Sequence, residues 1–69
     1  MKAEIFITNI KTKKQADYLL SSLRKNISDA LINFDFAENN TVLTIEVNRD
    51  ISGIVHSLFT AEGLHCQKL

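Results

Sequence analysis

Thr12 and Gln15 bracket two lysines in the stretch Thr12-Lys13-Lys14-Gln15. A hydroxyl and an amide at that spacing form a capping box for a helix start: the Thr oxygen accepts the backbone N–H three residues on, and the Gln side chain reaches back. The pair is unsuited to a soft ion such as Cu(I), which takes thiolate or thioether ligands. Softer donors lie elsewhere, at His65 and the single Cys66. His65 and Cys66 together offer imidazole and thiolate, a candidate donor pair for Zn(II) or Cu(I). Successive strand residues point to opposite faces, so Cys66 is expected to pack inward as a small apolar residue and His65 outward. His56 is expected to face solvent from a helix. Lys11, Lys13 and Lys14 gather at the capped helix start. There Lys13 and Lys14 oppose the helix dipole, but the three could meet an anion or an acidic partner.

The elements that position these residues follow from hydrophobic period. Ala3 to Thr8 is short, β-branched and alternating, and reads as a strand. From Thr12 the period becomes helical, with Ala16, Leu19, Leu20, Leu23 and Ile27 on one face. Leu31 to Phe36 alternates again, with Ile32, Phe34 and Phe36 on one side. After the polar turn Ala37-Glu38-Asn39-Asn40, Thr41 to Val47 returns as a strand, with Leu43, Ile45 and Val47 aligned. Asp50 or Asn48 is the expected cap of a second helix, whose buried stripe is expected to be Ile51, Ile54, Val55, Leu58 and Ala61. Gly63 is placed to end it in a left-handed turn, and Leu64 to Leu69 reads as a last short strand. Strand, helix, strand, strand, helix, strand with right-handed crossovers predicts an α+β fold: a four-stranded antiparallel sheet with both helices on one face. Alternation from the first strand puts Ile5 and Ile7 under the helices and Phe6 on the open face, with Val42 and Leu69 as companions in a patch that could pair two copies.

Sixty-nine residues are expected to make one domain, residues 1–69. Net charge is zero but segregated. Residues 1–25 carry Lys2, Lys11, Lys13, Lys14, Arg24 and Lys25 against Glu4 and Asp17; the remaining chain carries Arg49 and Lys68 against six acids. No block is long enough to act as a nucleic-acid arm, and the two ends are expected to meet in the fold. Phe6, beside Asp35 and Glu46, does not supply the stacking residues and basic flanks of an RNA-binding sheet. No Ser/His/Asp or Cys/His arrangement is placed for nucleophilic work. The two glycines, Gly53 and Gly63, form no phosphate loop. The expectation is a chain that is not an enzyme. With no charged-then-apolar leader, no apolar run of membrane length and no cysteine pair, the expected location is cytoplasmic.

Over essentially its whole length the chain resembles the heavy-metal-associated domain, the module of small copper chaperones and of metal-pumping ATPases. Where that family carries Gly-Met-x-Cys-x-x-Cys, this chain reads Asn9-Ile10-Lys11-Thr12-Lys13-Lys14-Gln15. Ile10 stands at the buried Met, and Thr12 and Gln15 at the two cysteines. The hairpin from Asn33 to Ile45, the run Ile54-Val55 with Leu58, and the ending Ala61-Glu62-Gly63-Leu64-His65-Cys66 match in type. The resemblance implies a ferredoxin-like βαββαβ sandwich of a cysteine-lacking branch. It implies a binding module without the family's metal site or any other cofactor, acting through protein contacts at Lys11, Lys13, Lys14, Leu64 and His65. The expected partner is a protein with an acidic patch, not a nucleic acid or a membrane, and the chain itself a monomer or weak homodimer. The alternative is a metal-homeostasis protein holding Cu(I) or Zn(II) weakly near His65 and Cys66.

Overall fold

The computed structural model describes residues 2–69. Six elements follow in order: β1 (Lys2–Thr8), α1 (Lys13–Asn26), β2 (Leu31–Phe36), β3 (Thr41–Val47), α2 (Ser52–Ala61) and β4 (Cys66–Lys68). The strands form one sheet in the order β2-β3-β1-β4, with every neighbouring pair antiparallel. One core joins Ala16, Leu19, Leu23 and Ile27 of α1 and its C-terminal end, Val55 and Phe59 of α2, and Phe6, Leu43, Ile45 and Val47 of the sheet. Both helices therefore cover the same face, and the fold is the ferredoxin-like α+β sandwich.

The helices end as their sequences dictate. Arg24 and Lys25 occupy the last turn of α1, where cations favour the dipole. At the end of α2, Gly63 adopts φ 69°. Its N–H donates to the Thr60 carbonyl (3.0 Å), and the Leu64 N–H donates to the Phe59 carbonyl (2.9 Å). This is a Schellman turn, which glycine enters without a Cβ penalty. The start of α2 corrects one expectation: its N-cap is Ile51, with no side-chain cap hydrogen bond, rather than Asp50 or Asn48, and Asp50 instead accepts from the Ser52 N–H (3.1 Å) and hydroxyl (2.7 Å) just ahead of the helix.

Three expectations about facing are corrected. Phe6 is buried, while Ile5 is 39% exposed on the open face and Ile7 half-buried there. The cause is register. Glu4, Phe6 and Thr8 sit opposite Ile45, Leu43 and Thr41, and directly opposed residues share a face. The strongly apolar inner row of β3 therefore draws Phe6 beneath the helices and Glu4 with it. In α2 the inward row is Ile51, Val55 and Phe59, with Ile54 and Leu58 half-buried and Ala61 exposed. The large Phe59 side chain rotates the stripe away from Ala61. Phe36 shares the inner face with Ile32 and Phe34 but is 55% exposed, because it ends an edge strand.

β4 is shorter than expected, although the ladder continues through the Leu69 N–H to the Ile5 carbonyl (2.9 Å). The charge halves also meet differently from expectation. The ion pairs among the described residues join Arg49 to Asp29 (2.9 Å) and Lys68 to Glu4 (2.8 Å). Neither engages Lys11, Lys13, Lys14, Arg24 or Lys25. Among the described residues no helix is long and apolar enough to cross a membrane.

Candidate functional site

The turn from β1 into α1 is held by its own side chains. Thr12 is the N-cap of α1, with extended backbone (φ −126°, ψ 150°). Its Oγ1 accepts the Gln15 N–H at 3.1 Å. Gln15 Oε1 accepts the Lys11 N–H at 3.0 Å, one residue before the cap itself, so the box closes slightly wider than the simplest pattern. Ile10 is buried beneath the turn as an apolar plug. Its carbonyl accepts from Thr41 Oγ1 (2.9 Å), while Thr8 Oγ1 donates to the Thr41 carbonyl (2.8 Å). Asn9 clamps the approach to β4: its Oδ1 accepts the His65 N–H (2.8 Å) and its N–H donates to the His65 carbonyl (3.2 Å).

Thr12 and Gln15 thus offer a metal only oxygens that already accept backbone N–H groups. That donor set does not fit a soft ion. Among the described residues no group of three or more His, Cys, Asp and Glu side chains is placed to hold a metal ion.

Beside this capped turn lies a groove of about 270 Å³. Leu19 and Leu64 form its apolar part, Tyr18, Thr12 and Gln15 its α1 wall, and Lys14 and Glu62 bring charge to it. The structure therefore brings Lys14 and Leu64 of the expected contact surface together. Lys11 and Lys13 are exposed on the same turn, and His65 is exposed just past Leu64. Tyr18, 53% exposed, was not among the expected residues. Its signal is its helical position: three residues after Gln15, it falls on the flank beside the buried stripe.

Cys66 is buried, as expected, and His65 is exposed. Both border a shallow polar hollow with Asn9, Asn40 and Gln67. The side chain that approaches the thiol is His56: its Nδ1 lies 3.8 Å from Cys66 Sγ. The expectation of a purely solvent-facing His56 is corrected to that extent, because α2 packs against β4. Burial pushes the Cys66 thiol above its ordinary pKa, favouring the protonated form over the thiolate a metal or an electrophile needs.

Comparison with protein-family models, with curated proteins and with solved structures finds no match to this chain.

Proposed function

We propose that this chain is a small cytoplasmic binding module on a heavy-metal-associated-like scaffold. In this reading a helix cap has replaced the metal loop, and the groove beside it takes a protein partner. The observation that carries the reading is the apolar groove at the start of α1, flanked by Lys14, which makes no ion pair among the described residues. A partner matched to it presents an apolar side chain between acidic residues. The apolar group covers Leu19, Leu64 and the Tyr18 ring, and the acids meet Lys14 in the groove wall and Lys11 on the same turn. Tyrosine suits such a role because it offers large contact area at low conformational cost. The capping box supports the same reading by holding the wall of the groove rigid without a metal.

Photo-crosslinking tests it. A photoreactive phenylalanine in place of Tyr18 is expected to give a discrete protein adduct in cell extract, and the Lys14→Glu background is expected to remove that adduct. The same probe at Thr44, on the open sheet face, serves as the control. No adduct at position 18, or an equal one at position 44, would overturn the proposal.

A second reading rests on the 3.8 Å approach of His56 to Cys66. Here the chain handles Cu(I) or Zn(II) through a thiol and an imidazole, with His56 in place of His65. Cu(I) titration of wild type, Cys66→Ser, His56→Ala and His65→Ala separates the possibilities. Weak binding that no variant changes sinks this second reading.

A further inference from the structure

The sheet has two edges, and they are guarded unequally. β4 is three residues long and carries Lys68, two devices that discourage strand addition. β2 is six residues of Leu-Ile-Asn-Phe-Asp-Phe, with no proline, glycine or lysine, and with Leu31 62% and Phe36 55% exposed at its ends. We propose that β2 is a homodimer edge, pairing antiparallel with β2 of a second copy about a two-fold axis at Phe34.

Register follows from the hairpin. The Ala37 N–H donates to the Asn40 carbonyl (2.9 Å), so the odd-numbered residues of β2 spend their backbone groups on β3. Alternation turns the N–H and C=O of Ile32, Phe34 and Phe36 outward. In an antiparallel seam these outward residues must face one another. Both copies then present the same side, and all four helices lie on one face of an eight-stranded sheet.

Centring on Phe34 sets Phe36 against Ile32 of the second copy, and Asp35 against Asn33. A seam centred on Asn33 would oppose Asp35 to Leu31. One centred on Asp35 would oppose two carboxylates, which is unfavourable.

α1 supplies the second half of the interface. It packs over β2 and runs antiparallel to it. The two are of similar length, about 21 Å for the helix and about 20 Å for the strand, so the axis through Phe34 passes near Leu20. Gln15 and Tyr18 line the groove on the α2 side. At 100° per residue, Lys13, Asp17, Leu20 and Arg24 therefore form the opposite flank, above the β2 edge. Leu20 is only half-buried within one copy. The two-fold sets the α1 helices of the two copies antiparallel, bringing each Asp17 toward the other's Arg24 with Leu20 between them. This flank is self-complementary in charge. A six-residue seam and one helix flank make an interface at the small end of the stable range, so association depends on concentration. The surface lies on the other side of α1 from the groove, and its test is independent of the partner reading.

Sedimentation equilibrium of the full chain, from about 10 μM to about 1 mM, is expected to show a shift from 7.8 kDa toward twice that mass. Phe36→Lys is expected to raise the dimer Kd at least about tenfold. Asp17→Arg and Arg24→Asp each place like charges together and weaken the dimer, and the Asp17→Arg/Arg24→Asp double swap restores it. All three positions are exposed, so the fold survives the substitutions. A wild type that stays monomeric throughout overturns the proposal. So does a dimer that Phe36→Lys leaves intact while Ile5→Lys on the open face abolishes it, or a double swap no better than its singles.

Discussion

β2 and β4 close the same sheet in opposite ways. β4 is short and its attachments are polar: Lys68 to Glu4, Asn9 to the backbone of His65, and the Leu69 N–H to the Ile5 carbonyl. β2 is longer and its exposed ends are apolar. Its fixed corner is polar and exposed, where Arg49 meets Asp29 with both guanidinium bonds at 2.9 and 3.2 Å. The difference teaches that an edge can be specified by charge at little apolar burial, as in β4. An edge left apolar, as in β2, is a surface still available for contact.

The largest effect expected separates the sheet's centre from its β2 edge. Phe6→Ala removes a buried ring from β1 and is expected to destabilise by about 3–5 kcal/mol. Phe36→Ala, at the exposed end of β2, is expected to cost under about 1 kcal/mol. Urea unfolding of the two variants checks this at a protein concentration where the chain is monomeric. Equal losses would mean that the phase of β1 is assigned to the wrong face.

Next in size is the β4 latch. Glu4 is 9% exposed, and its Oε2 is buried without a hydrogen-bond partner among the described residues, so Lys68 is the group that satisfies the carboxylate. Lys68→Ala is expected to lower the urea midpoint, because a buried acceptor loses its charged donor. Replacing both partners with leucine should recover most of that loss, since a paired charge is weak support once both members can be apolar. A double variant as unstable as Lys68→Ala alone breaks this account of the edge.

Smaller is the cap beside the groove. Thr12→Ala removes one of its two side-chain hydrogen bonds and is expected to cost about 1 kcal/mol, read as a lowered urea midpoint with unchanged slope.

The smallest effect is pH dependence, and the basic and thiol groups of β4 differ in its sign from the carboxylates Asp29 and Asp50. Salt-bridged Lys68 has its pKa raised by Glu4, and Cys66 has its pKa raised by burial. Both β4 groups bind protons more tightly in the folded state. Their stabilisation is whole below the unfolded thiol and ammonium values, roughly 8.5 and 10.4, and is lost as pH rises through the folded ones. Asp29, beside β2, is held below its ordinary pKa by the Arg49 guanidinium, and Asp50 below its own by the Ser52 hydroxyl and N–H. Their contribution is present above roughly pH 4 and is lost as pH falls through the folded values. Thermal melts across pH should therefore show a plateau with two wings, and Cys66→Ala should trim the onset of the alkaline one. An unchanged alkaline wing in that variant would show that the thiol contributes nothing to it.

Much of the fold could be read from residue order. The stripe Ala16, Leu19, Leu23 and Ile27, without the expected Leu20, which is half-buried at its margin, the Thr12 and Gln15 box and the Gly63 turn are local, since each depends on partners within a few residues. Local pattern and fold part company where a distant strand decides. Ile5 and Ile7 outnumber Phe6 within β1, yet pairing with Leu43 turned the strand over. Phe59 fell outside the expected stripe because a short amphipathic helix tolerates more than one apolar phase until it meets its sheet. At the candidate site, Lys14 and Leu64 were legible as a surface. Tyr18 and the approach of His56 to Cys66 were not, since they need the position of α2.

Local hydrogen bonding and hydrophobic period determined from sequence alone that this chain makes a βαββαβ sandwich whose first helix caps itself. Which side of β1 is covered, which histidine stands by the thiol, where the groove opens and which edge is left apolar were decided only by the tertiary structure. The physical reason is range: a cap or a glycine turn closes within one stretch of chain, whereas a strand's face and a groove's walls are set by elements far apart in sequence that meet only on folding.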